Sequence, residues 1–117
     1  MELKEIVEQL DLTVRTGRKN LDTEVAAGYA SDLMSDVIAH AREGSLWVTL
    51  QIHQNIVAVA SMNDLAGVIL VNGREPEGDT IEKAEAEGLP IMVTPLPTFE
   101  VVGRLYGLGI SGIPRTG

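Results

Sequence analysis

The chain has 117 residues, 44% of them apolar and 22% charged, the balance of one compact α/β-sized domain. Nine basic residues against 17 acidic ones leave a net charge of −8, which argues against nucleic acid or an anionic membrane as a partner, because both are held by a basic face. The absence of cysteine excludes disulfides, thiolate zinc and iron–sulfur ligation, and a thiol nucleophile.

The first residues carry no basic segment followed by an apolar one, so no secretory signal is expected. No apolar run approaches the roughly 20 residues that span a bilayer, and a cytoplasmic location is the expectation. Leu3, Ile6, Val7 and Leu10 follow helical spacing and predict an amphipathic helix over residues 2–10. Residues 13–16 read as a strand closed by Gly17 and a polar turn through Asn20, and residues 25–30 as a second strand. Ser35 or Asp36 is the expected cap of a short helix to Arg42, with Gly44 as its stop. Residues 46–50 form a continuous apolar run, as in a strand covered on both faces. Asn55 precedes an almost wholly apolar helical stretch that ends near Leu65 with Gly67 as its stop, followed by a strand at 68–71. Asp79 and Glu82 form a capping-box pair opening a helix that Gly88 ends, residues 91–94 give the last strand, and Thr98 opens a final helix to Tyr106.

Strands alternating with helices at these intervals imply right-handed crossovers. The expected fold is a three-layer α/β domain over residues 1–106, with a mostly parallel sheet of about five strands flanked by helices. Residues 107–117 hold four glycines and a proline and read as a flexible tail. The apolar helix at 56–62 needs cover on more than one side, which suggests a homodimer through it or through a sheet edge.

Gly107, Gly109 and Gly112 match a dinucleotide-binding glycine pattern, but a helix precedes them where a strand is required. Neither a phosphate-binding G-x-x-x-x-G-K-[ST] loop nor a G-x-S-x-G elbow occurs, and His40 and His53 lack the spacing of a metal pair. No cofactor and no metal are therefore expected. Ligands of open parallel sheets bind where loops leave the carboxyl ends of the strands. In this chain those loops carry Ser31 and Asp32; Gln51, His53 and Asn55; Asn72, Gly73, Arg74 and Glu75; and Thr94 and Thr98. Several helix N-termini open on the same rim and offer N–H groups to an anion, while Arg74 can clamp a phosphate or carboxylate. Ser31, Asp32, Gln51, His53, Asn72, Gly73, Arg74 and Thr94 form the expected ligand-binding set, for a small anionic metabolite such as a nucleotide. No catalytic residue is assigned. Asp32, His53 and Arg74 supply acid, base and clamp types, but no spacing motif joins them. Ser31, Asp32, Asn55 and Thr98 also suit helix caps, and Arg74–Glu75 a solvated turn.

The stretches at residues 21–37, 44–49 and 69–76, with Gly28-Tyr29-Ala30-Ser31-Asp32, Gly44-Ser45-Leu46-Trp47-Val48-Thr49 and Val71-Asn72-Gly73-Arg74, resemble stand-alone DRTGG domain proteins over residues 2–110. Val71-Asn72-Gly73 stands where the family has Thr-Gly-Gly. Such domains accompany CBS pairs in regulated pyrophosphatases and precede the catalytic domain of some phosphotransacetylases. They are similar to the N-terminal domains of HPr kinase/phosphorylase and of Mur ligases, where an S-D-S-R element helps hold a uridine nucleotide. Ser31-Asp32 lies in a comparable place without the arginine. The resemblance implies a regulatory or scaffold domain without chemistry of its own. It also implies a protein partner, in the company of iron-only hydrogenase or sensor-kinase systems.

Overall fold

The apolar spacing at the start of the chain folds as expected: Leu3, Ile6 and Leu10 form the buried side of helix α1 (Leu3–Leu10). A computed structural model describes residues 1–113. After α1 come β1 (Thr13–Thr16), a 3-10 turn (Arg18–Asn20), β2 (Ala27–Ala30), α2 (Met34–His40) and β3 (Ser45–Thr49). They are followed by α3 (Asn55–Met62), β4 (Gly67–Leu70), α4 (Gly78–Glu87), β5 (Ile91–Val93) and α5 (Thr98–Gly107).

The five strands form one sheet in the order β1-β5-β4-β3-β2. β2, β3, β4 and β5 run parallel, and β1 pairs antiparallel with β5 at the edge. Each crossover from β2 to β5 moves one strand in the same direction, so right-handed connections place α2, α3 and α4 together on one face. α3 packs there between α2 and α4, while α1 and α5 cover the other face.

Alternating side chains divide the core accordingly. Leu46, Val48, Ile69, Val71 and Met92 meet Leu3, Ile6, Val101 and Leu105 beneath α1 and α5. Trp47, Val68, Leu70, Ile91 and Val93 meet Val37, Ile56, Val57, Ala60 and Ala84 beneath the other three helices. Strands β3, β4 and β5 are buried at every position, which is why they read as unbroken apolar runs.

The structure changes three details. The capping residues lie earlier: Leu33, Glu77 and Pro97 flank α2, α4 and α5, none with a side-chain cap, so the Asp79–Glu82 box and the Thr98 cap do not form. At α4 a backbone contact holds the entry instead, Glu77 N–H reaching Ile52 O at 3.2 Å, and at α2 the Ser31 hydroxyl accepts Leu33 N–H. The apolar girth of α3 is covered from within, by the sheet, α2 and α4, leaving Ala58, Ser61 and Met62 outside. The chain does not leave the domain at residue 107. It turns at Gly109 (φ 94°), buries Ile110, and gives Ser111 O to Gly28 N–H at 2.9 Å. The remainder of the expected tail, residues 114–117, lies outside the described residues.

Candidate functional site

All eight residues singled out from the sequence sit at the carboxyl ends of the parallel strands, or in the loops leaving them. Four of them are tied to one another there, Asp32 to Gln51 and Gly73 to Thr94. Asp32, just beyond β2, accepts from Thr49 Oγ1 at 2.9 Å and from Leu50 N–H at 2.7 Å, with one carboxylate oxygen. Gln51 Nε2 returns a hydrogen bond to Asp32 O at 2.8 Å. Asp32 thus straps the end of β2 to the end of β3. Ser31 Oγ accepts from Leu33 N–H, and its carbonyl receives the indole N–H of Trp47, a fully buried side chain, at 2.8 Å.

His53 Nδ1 accepts Asn55 N–H at 3.1 Å at the entry to α3. That bond puts the proton of the neutral ring on Nε2. Thr94 is buried and its hydroxyl accepts from Leu96 N–H at 3.2 Å, fixing the bend after β5. Asn72 and Gly73 both take left-handed backbone conformations, with φ of 57° and 70°. Their N–H groups bond to Leu96 O and Thr94 O, both at 2.9 Å. Arg74 continues from this turn with an exposed side chain that has no carboxylate partner among the described residues. Its neighbour Glu75 is held instead by Arg15 of β1, in a two-pronged pair at 2.8 and 2.9 Å that keeps the Glu75 carboxyl below its ordinary pKa.

The placement of Arg74 follows from topology. The loop after β4 leads to α4 on one face and the loop after β5 leads to α5 on the other. Neighbouring strands whose connections diverge in this way open a crevice at the carboxyl end of a parallel sheet. Here the two hydrogen bonds from Asn72 and Gly73 draw the loops after β4 and β5 together, with Arg74 next in the chain. These two loops lead to the N-termini of α4 and α5, and neither has a side-chain cap. Asp32, His53 and Arg74, the residue types of an acid–base site, are not joined by any hydrogen bond among the described residues, and Asp32 is committed to its strap.

A second cluster lies beside β2. Asp36, in the first turn of α2, accepts from the Tyr29 hydroxyl at 2.8 Å and contacts His40 Nδ1 at 3.1 Å. The Tyr29 hydroxyl, then Ser31 and His40, hold the Asp36 carboxyl below its ordinary pKa, and the same bond raises that of Tyr29. No group of three or more metal-ligating side chains converges among the described residues. No described helix is long and apolar enough to cross a membrane.

One feature of this end of the molecule escapes the sequence reading: an open cleft of about 260 Å³ between β2 and α5, lined by Gly28, Tyr29, Ala30, Val102, Tyr106 and Ile110 among others. Its signal was a second apolar stripe on α5. Phe99, Val102 and Tyr106 repeat at i, i+3 and i+7 beside the buried pair Val101 and Leu105.

Comparison with known proteins gives a family and a fold. The model of the DRTGG domain matches residues 5–108. No curated protein matches the sequence significantly. Among solved structures, the chain is similar to the CBS and DRTGG domains of the regulatory region of Clostridium perfringens pyrophosphatase, a crystal structure complexed with the activator diadenosine tetraphosphate. The TM-score is 0.72 at 16% identity, over 94% of this chain and 47% of that one. The chain therefore spans about half the length of that regulatory region, and the likeness is one of fold.

Proposed function

The chain belongs to the DRTGG domain family, and from that premise we propose that it is a non-catalytic regulatory module, cytoplasmic and homodimeric, that takes a small anionic metabolite at the carboxyl rim of its sheet. The state of the rim is then read by a partner protein. One observation carries the reading: in a chain of net charge −8, Arg74 holds an exposed guanidinium, without a carboxylate partner among the described residues, at the point where the β4 and β5 loops diverge. A guanidinium so placed recognises phosphate or carboxylate by two parallel hydrogen bonds. The uncapped ends of α4 and α5 add favourable dipoles beside it. A nucleotide is the ligand class favoured by the solved relative, a regulatory region complexed with a nucleotide activator.

The remaining rim residues divide by what they already hold. Asn72 and Arg74 have side chains free to meet a ligand, and His53 keeps Nε2. Ser31, Asp32, Gln51, Gly73 and Thr94 shape the rim that presents them. Asp32→Ala therefore loosens the rim itself, and Arg74→Ala is the cleaner test.

Thermal-shift and calorimetric titration with mono- and dinucleotides, acetyl phosphate and inorganic phosphate tests the proposal. A ligand at 100 times its dissociation constant stabilises the fold by about 2.7 kcal/mol, which raises the midpoint by roughly 10 °C or more in a domain near this size. Arg74→Ala should weaken binding about tenfold or more without changing the melting temperature of the free protein. A ligand bound equally well by Arg74→Ala removes the rim from the account. A second reading, an interaction module whose rim stays empty, is favoured by the apolar stripe on α5 and by silence across the whole panel.

A further inference from the structure

The carboxylate nearest to Arg74 in the chain is that of Glu75, and the two could pair with each other. Consecutive Cα atoms lie about 3.8 Å apart, well within the reach of both side chains. The fold keeps them separate. Glu75 turns to the edge strand instead, where Arg15 Nε and Nη2 hold its two carboxylate oxygens at 2.8 and 2.9 Å. Arg15 reaches it from the register break between β1 and β5. Val14 faces Met92 and Thr16 faces Ile91, so Arg15 is the extra residue between them and has no partner on β5. A bulge of this kind re-aims a side chain that regular pairing would hold in line. The backbone on either side is secured without Arg15, by the Thr16 hydroxyl between Leu89 O and Ile91 N–H and by Arg18 Nη2 on Val14 O at 3.0 Å.

We infer that Arg15 is a positioning residue for the rim: from the bulge of β1 it draws the Glu75 carboxylate away from Arg74 and leaves that guanidinium open to an anion. The inference deepens the rim reading above and rests on it for its ligand. Stability does not account for the pair, since its side chains are 38% and 55% exposed and exposed ion pairs contribute little. Its effect is on the charge beside Arg74. A carboxylate paired with Arg74 would neutralise it and repel an approaching phosphate, whereas on Arg15 the same carboxylate is itself neutralised. Arg15 also holds the Glu75 carboxyl below its ordinary pKa, so it is ionised and in need of a cation wherever it lies.

Calorimetric titration of the full chain with AMP and with inorganic phosphate tests this. Arg15→Ala frees Glu75 to take Arg74, and both probes should bind roughly threefold or more weakly. Arg15→Ala/Glu75→Gln removes the competing charge without restoring the tether, and should return to within about twofold of the native affinity. A role confined to pinning the loop predicts the opposite, because the tether is missing from both variants. Native affinity in Arg15→Ala, or a double variant as weak as the single one, overturns the inference. A second measurement needs no ligand. Followed by carbon NMR, the Glu75 carboxyl of Arg15→Ala should still titrate below its ordinary range, now held by Arg74, and should return to that range in Arg15→Ala/Arg74→Ala. A Glu75 that titrates ordinarily in Arg15→Ala does not pair with Arg74 and overturns the inference as well. A native chain that binds neither probe removes the rim reading, and the titration then decides by itself whether Arg15 keeps Glu75 from Arg74.

Discussion

The hydroxyl of Thr16 occupies the one irregular step in the sheet. β1 slips against β5 between Val14 and Thr16, so two residues of β1 face one interval of its partner. Thr16 is 1% exposed; its hydroxyl donates to Leu89 O at 2.8 Å and accepts Ile91 N–H at 3.0 Å, meeting two backbone groups that the bulge leaves without ladder partners. Thr16→Val keeps the shape and removes both bonds. Each buried group left unpaired costs about 1–3 kcal/mol, so urea unfolding should show a loss of roughly that size or more with an unchanged slope. A loss within experimental error would mean that water replaces the hydroxyl. Next to it, a Cβ on Gly17 (φ 69°) would lie 2.4 Å from Pro90 N, so the residue after Thr16 has to be glycine. The glycine was legible as a turn, but the bulge was not. Periodicity reports which face a residue takes, and a bulge is a relation between strands 75 residues apart. The same limit applies at the rim. Asp32 and Arg74 were both legible as polar loop residues in the right place, yet only the contacts separate a carboxylate strapped across two strand ends from a guanidinium left open.

Among the elements, those buried on both sides were the most readable, because β3, β4 and β5 need apolar residues at every position. β2 was less so: Val25 and Ala26 extend the apolar pattern, but their N–H groups go to Met1 O and Gly44 O, and regular pairing begins only at Ala27. The entry to α4 misled for a related reason, since a backbone contact to a neighbouring loop replaced the local cap that sequence can show. The end of α2 is finished from a distance, by Asn63 Nδ2 lying 2.9–3.1 Å from the carbonyls of Val37, Ile38 and Ala41. Its start is tied to β2 by Tyr29 and Asp36. Because the Asp36 carboxyl sits below its ordinary pKa in the fold, the stability it contributes is present above the unfolded-state value and is lost as pH falls through the folded one. The gap in urea midpoint between the native chain and Asp36→Asn should therefore be widest near neutrality and narrow as pH drops below about 4. A gap that does not change with pH would assign the effect to the shape of the side chain and not to its charge. The contribution is modest, since the pair lies at the surface.

For the molecule as a whole, the layer arrangement follows from the alternation of strands and helices, and the sheet order from three equal right-handed steps. What alternation could not show was the place of β1. Its partner is decided by closure of the sheet, with β1 docking antiparallel on the last strand to be made. That placement governs the order in which the protein can assemble. β2 to β5 are joined by short crossovers between neighbours, but Thr16 reaches Ile91 across 75 residues, and long loops close late. During synthesis β1 leaves the ribosome before β5 and must wait for it. In refolding followed by pulsed hydrogen exchange, amides of β3 and β4 should be protected before those of β1; simultaneous protection would place β1 within the folding nucleus. Until β5 arrives, β1 lacks its partner strand, and the apolar side of α1 and β1 is expected to stay exposed for that interval.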